Sequence, residues 1–150
     1  MTATPIEILV VDDNPGDVLL TKDALRDARI WNQVHVASDG AQALAFLRRE
    51  SVYRDAPIPD LVFLDLRMPK VDGFQVLAEM KSDPELRRIP VIVMSSSDTE
   101  TDLAKAYDAQ IAAYLVKPVD LDAYFGAIRA IKELWFNVVR LAPKVNKASS

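Results

Sequence analysis

The feature that most constrains this chain is a series of short apolar runs, each broken off by residues that can do chemistry. Ile6–Val11 is β-branched and leucine sequence apart from Glu7 and stops at Asp12-Asp13. Residues 61–64 stop at Asp65, residues 91–94 stop at Ser95-Ser96-Ser97, and Ala113–Val116 stops at Lys117-Pro118. A further strand is expected over 33–37, closed by Ser38-Asp39-Gly40. The runs at 6–11, 61–64 and 91–94 read as strands buried on both faces, and those at 33–37 and 113–116 as further strands.

Segments of helical periodicity fill the intervals. Asn14-Pro15-Gly16 makes a turn in which Pro15 suits a helix start, and Val18, Leu19, Ala24, Leu25 and Ala28 then recur at helical spacing. Residues 41–49, 74–81 and 99–108 read as further helices, and a last, long one begins at Asp120. Strict alternation of buried strands and amphipathic helices predicts an α/β fold: a five-stranded parallel sheet, doubly wound, with five helices on its two faces. Residues 50–60, with Pro57 and Pro59, read as a loose connection, longer than this architecture needs. Residues 143–150 are polar and are expected to fray.

Composition closes off other classes. The 150 residues suit one domain, and 50% hydrophobic with 27% charged content is an ordinary globular balance. Without cysteine there is no disulfide frame, thiolate metal site or cysteine nucleophile, and one histidine, His35, cannot make a multi-histidine metal site. A net charge of −4 argues against nucleic acid as a partner. No apolar run is long enough to span a membrane, and the first residues do not read as a secretory signal. A cytoplasmic protein is expected.

In an open parallel sheet, ligands sit beyond the carboxyl ends of the strands. Asp12, Asp13, Asp65, Ser95 and Lys117 are expected to meet there. Clustered carboxylates repel one another by about 4 kcal/mol per pair at ~4 Å and an effective dielectric of ~20, so cations must offset them. Lys117 supplies one positive charge. Oxygen ligands without imidazole or thiolate select Mg2+ or a similar hard ion. A carboxylate nucleophile, a hard metal, a lysine and a hydroxyl together make the equipment of phosphoryl transfer.

The segments Ile-Leu-Val-Val-Asp-Asp-Asn-Pro (8–15), Leu-Val-Phe-Leu-Asp-Leu-Arg-Met-Pro (61–69) with Asp72-Gly73, Val-Ile-Val-Met-Ser (91–95) and Tyr-Leu-Val-Lys-Pro (114–118) resemble the receiver domain of two-component response regulators. The resemblance covers roughly residues 6–134, and the spacings agree, with 30 residues from Asp65 to Ser95 and 22 from Ser95 to Lys117. It implies a flavodoxin-like sheet in the order 2-1-3-4-5. It implies Asp65 as the phosphoacceptor and a sensor histidine kinase as the donor. Mg2+ would be held by Asp13 directly, by Asp12 largely through water, by Asp65 and by the backbone carbonyl of Arg67. Ser95 and Tyr114 match the switch pair, and Lys117 the phosphoryl-contacting lysine, with a cis peptide before Pro118. Arg67 and Ser97 would border the path of an attacking water.

The run Asp-Asn-Pro-Gly-Asp-Val-Leu-Leu-Thr that ends at Thr21, the long connection before Asp65 and a Trp-Phe tail resemble single-domain regulators paired with bacterial phytochrome kinases. Residues 1–134 are thus expected to form the receiver and 135–150 an extension of the last helix with a tail. No output domain is expected to follow, so the output would be protein contact or onward phosphotransfer. Trp135, Phe136, Val138, Val139 and Leu141 form an apolar surplus that is expected to extend a homodimer built on the fourth helix, fifth strand and fifth helix. Two competing readings are an aspartate-nucleophile phosphatase and a phosphorylation-independent interaction module. The first needs an acid two residues after Asp65, where Arg67 stands; the second leaves the complete acid, hydroxyl and lysine set without a purpose.

Overall fold

The fold is a computed structural model that describes residues 5–68, 71–96, 99–117 and 120–133. Five parallel strands, β1 (Ile6–Val11), β2 (Asn32–Ala37), β3 (Leu61–Asp65), β4 (Val91–Ser95) and β5 (Ala113–Val116), lie in the order β2-β1-β3-β4-β5. Five helices alternate with them: α1 (Pro15–Asp27), α2 (Gly40–Leu47), α3 (Gly73–Ser82), α4 (Glu100–Asp108) and α5 (Leu121–Lys132). The order and the doubly wound arrangement are those expected.

Side-chain alternation splits the core in two. Leu9, Val11, Val62, Leu64, Val91 and Val93 face α2, α3 and α4, where Leu44, Leu47, Val76, Leu77, Met80 and Ala106 meet them. Ile8, Val10, Phe63, Ile92 and Met94 face α1 and α5, against Val18, Ala24, Leu25, Tyr124 and Ile128. The central strands β3 and β4 are buried along their whole length, as continuous apolar runs require.

Each helix opens with a side-chain cap. Asn14 accepts from Gly16 and Asp17, Asp39 from Gln42, Asp72 from Gln75, Thr99 from Asp102 and Asp120 from Ala123. Because every strand feeds a helix, these five helix N-termini, with their partial positive charge, gather at the carboxyl edge of the sheet. Two of them approach other backbone closely. A methyl group on Gly40 would lie 2.0 Å from the carbonyl oxygen of Val71, and one on Gly73 would lie 2.5 Å from that of Asp65. Only a residue without Cβ fits either place.

Two details differ from the sequence reading. Helix α2 ends at Leu47, two residues short of the expected 49, because Arg49 takes a left-handed φ of 56° and the Glu50 amide closes on the Ala45 carbonyl at 2.9 Å. Residues 50–60 are not loose. They contain a 3-10 turn at Ser51–Tyr53, and Tyr53, Ala56 and Ile58 pack on the three-helix core. Arg49 Nε donates to the Ala56 carbonyl at 2.7 Å, and Glu7 and Asp60 exchange two hydrogen bonds at 2.7 and 2.8 Å. Half-buried side chains and these hydrogen bonds hold the segment. His35 plays a structural part: its ring packs on Phe46 and its Nε2 lies 3.1 Å from Glu7.

No described helix is long and apolar enough to cross a membrane. The expected Lys117-Pro118 cis peptide, Ser97, and the apolar residues Trp135, Phe136, Val138, Val139 and Leu141 lie outside the described residues.

Candidate functional site

The carboxyl edge of β1, β3 and β5 carries the charged cluster. Asp12 is buried at the end of β1, with Oδ1 accepting from the Asn14 amide at 2.9 Å. Asp13, the next residue, is exposed. Asp65, at the end of β3, is 6% exposed, and its Oδ1 accepts from the Arg67 amide at 3.0 Å. One oxygen from each of Asp12, Asp13 and Asp65 lies within 4.8 Å of the others. Lys117 reaches in from the end of β5. Its Nζ donates to Asp12 Oδ2 at 2.8 Å, Asp17 Oδ2 at 2.8 Å and Asp65 Oδ2 at 3.4 Å.

Burial governs the proton affinities. It pushes the Asp65 carboxyl above its ordinary 3.8; the neighbouring charge of Asp12 adds to this, while the Arg67 amide and Lys117 pull the other way. Burial works against the charge on Lys117, but its hydrogen bonds to Asp12 and Asp17 and the charges of Asp12 and Asp65 outweigh it, so the ammonium is held protonated. The three carboxylates offer a hard, all-oxygen donor set, which fits a divalent metal.

Ser95 ends β4, fully buried, and its carbonyl accepts from the Lys117 amide at 2.7 Å. Alternation along β4 turns its side chain to the same face as Val91 and Val93. Tyr114, half-buried and registered against Val93, packs on that face too. The Arg67 guanidinium bonds Asp102 of α4 at 2.6 Å.

The fold thus brings Asp12, Asp13, Asp65 and Lys117 together, as expected from their strand ends. The sequence reading missed Asp17. An acid in the first turn of a helix ordinarily complements the helix dipole, and nothing local signals that it faces a lysine 100 residues away. It also missed the buried contact beneath the site, where the hydroxyls of Thr21 (α1) and Tyr124 (α5) lie 2.6 Å apart beside Met94 Sδ. Burial pushes the Tyr124 hydroxyl up to about 12, so it stays protonated.

Comparison with known proteins agrees with this geometry. Residues 8–129 match the family model of the response regulator receiver domain. The chain belongs to that family. Among curated relatives of this receiver domain, Response regulator Rcp1 of Synechocystis is 37% identical over 137 residues, covering 91% of this chain and 93% of its own. The phosphorylated cyanobacterial phytochrome response regulator RcpA superposes with a TM-score of 0.85 at 40% identity, covering 93% of this chain and all of its own. The Mn2+-bound form of Rcp1 superposes with a TM-score of 0.84 at 37% identity, with the same coverage. The receiver fold and phosphorylation-based signalling are therefore those of this chain, and a histidine kinase is its class of partner.

Proposed function

We propose that Asp65 accepts a phosphoryl group from the phosphohistidine of a sensor kinase of the phytochrome type, in the cytoplasm. The observation that carries this is the convergence of Asp12, Asp13 and Asp65 around the Lys117 ammonium at one sheet edge. An Asp65 oxygen forms a bond to phosphorus as the phosphorus–nitrogen bond of the donor breaks, and the imidazole leaves with the electron pair and takes up a proton. Asp13, Asp65 and the Arg67 carbonyl, with Asp12 through water, would hold Mg2+, which when bound supplies positive charge for the phosphoryl oxygens. Lys117 contributes the opposite flank of positive charge. Similarity to Rcp1 and RcpA supports the phytochrome assignment of the kinase.

The readout in this proposal is a switch. The new anion at Asp65 draws the Ser95 hydroxyl toward it, and Tyr114, on the same face of the sheet, follows into the space released. The surface of α4, β5 and α5 then changes, and through it the output is contact with another protein or onward phosphotransfer. Tyr107 and Val116 stand exposed on that surface and support its use in a homodimer.

The test is transfer of labelled phosphate from a phytochrome kinase to the full chain. Label is expected on the wild type with Mg2+, and none on Asp65→Asn or in EDTA. Label retained by Asp65→Asn would overturn the assignment of the acceptor, and label with other histidine kinases only would overturn the phytochrome assignment.

A further inference from the structure

The Lys117 ammonium has three N–H donors and faces three carboxylates, but it does not share them equally. It bonds Asp12 and Asp17 at 2.8 Å each and stands 3.4 Å from Asp65. The acceptor therefore holds the weakest claim on the cation. Asp17 is well placed to enforce this, because its backbone is fixed on both sides. Its amide donates to Asn14 Oδ1 at 3.2 Å, and its carbonyl accepts from Thr21 Oγ1 at 3.1 Å. Thr21 in turn is tied to Tyr124 of α5. The first turn of α1 is thus braced against α5 beneath the site.

We infer that Asp17 is a positioning residue for Lys117: it draws the ammonium toward α1, so that Asp65 keeps a free oxygen lone pair for attack while the cation stands ready for the arriving phosphoryl oxygens. A carboxylate in close contact with an ammonium is a poorer nucleophile, since the bond must loosen as the oxygen attacks. Without Asp17, the ammonium retains Asp12 and Asp65 and moves onto the acceptor. This inference rests on Asp65 as the acceptor.

The experiment measures phosphorylation of the full chain by acetyl phosphate with Mg2+, over a range of donor concentrations. Asp17→Asn is expected to lower the maximal rate about tenfold, on the order of one barrier decade, with little change in the half-saturating donor concentration. Asp17→Glu keeps the charge and should recover part of the loss. In the Lys117→Ala background, Asp17→Asn should have no further effect, because the two act as one unit. A crystal structure of Asp17→Asn should show the Lys117–Asp65 separation shortened to an ordinary hydrogen bond. An unchanged maximal rate, an equal loss in the Lys117→Ala background or an unmoved ammonium would each overturn the inference. Label that survives Asp65→Asn in the same assay would instead overturn the acceptor, so the two failures are distinguishable.

Discussion

The two faces of the sheet are closed by different means. On the face covered by α2, α3 and α4, the interior is a continuous apolar cluster running from Leu9 through Val62 and Leu77 to Val93. On the face covered by α1 and α5, apolar packing is interrupted beneath the site by the Thr21–Tyr124 hydroxyl pair. That face is also fastened at its far end by polar contacts, Arg129 to Asp27 and Lys132 Nζ to the Ala28 carbonyl at 2.7 Å. The interior of the three-helix face holds by shape and dispersion, which tolerate no gap, and its polar fastening, Arg48 at the end of α2 to Glu79 of α3 at 2.5 Å, lies at the surface. The two-helix face holds in part by hydrogen bonds, whose net contribution is modest but whose geometry is strict. The polar face is the one that adjoins Lys117 and Asp17.

The largest expected effect is on the apolar face. Leu77→Ala should cost about 2–5 kcal/mol, the range for a fully buried leucine, measured by denaturant unfolding. A loss under about 1 kcal/mol would mean that this face is less tightly packed than its burial indicates. On the other face, Tyr124→Phe should cost about 1 kcal/mol, because Thr21 keeps the Asp17 carbonyl as a partner. Thr21→Val should cost about as much, and the double variant less than the sum. Full additivity would show that the hydroxyls do not act as a pair.

The edge where the faces meet gives an effect of opposite sign. Burial raises the Asp65 pKa above 3.8, so folding disfavours its charged form. The resulting cost is absent below the unfolded pKa, grows as pH rises from there, and is complete above the folded pKa. In metal-free buffer at pH 7, Asp65→Asn should therefore stabilise the chain and raise its Tm, measured by thermal unfolding. The gain should vanish as pH falls below 3.8. A lower Tm for the variant at pH 7 would show that the bonds to Arg67 and Lys117 outweigh burial.

The smallest effect belongs to the exposed end of the two-helix face. Arg129→Ala should cost less than about 1 kcal/mol and nothing measurable in ~1 M salt. A larger, salt-independent loss would make this pair a member of the core fastening rather than a surface contact.

The contrast between the faces also marks what can be read from sequence. Apolar runs ending in Asp12-Asp13, Asp65, Ser95 and Lys117 gave strands, parallel topology and most of the site: burial leaves a continuous local pattern in β1, β3 and β4, the half-buried edge strand β5 keeps an apolar run, and strand ends are where each run stops. The Thr21–Tyr124 pair spans 103 residues and interrupts no period, since either residue alone suits its helix. Asp17 is hidden in the same way. The order of residues 50–60 comes from contacts such as Glu7 with Asp60, 53 residues apart, whereas Pro57 and Pro59 suggest only a loop.

The close approaches at Gly40 and Gly73 bear on how this chain can be lengthened. On either side of the turn that follows the acceptor the chain is seated closely, Val71 against Gly40 and the backbone of Asp65 and Leu66 against Gly73. An inserted residue there must break a contact at either end and would carry the displacement to Asp65. Residues 50–60 enter the same strand from the opposite edge of the sheet, and the exposed Val52 at their surface stands clear of any such contact. A reporter peptide inserted beside Val52 should leave the chemistry intact, whereas one inserted between Leu66 and Asp72 should silence it.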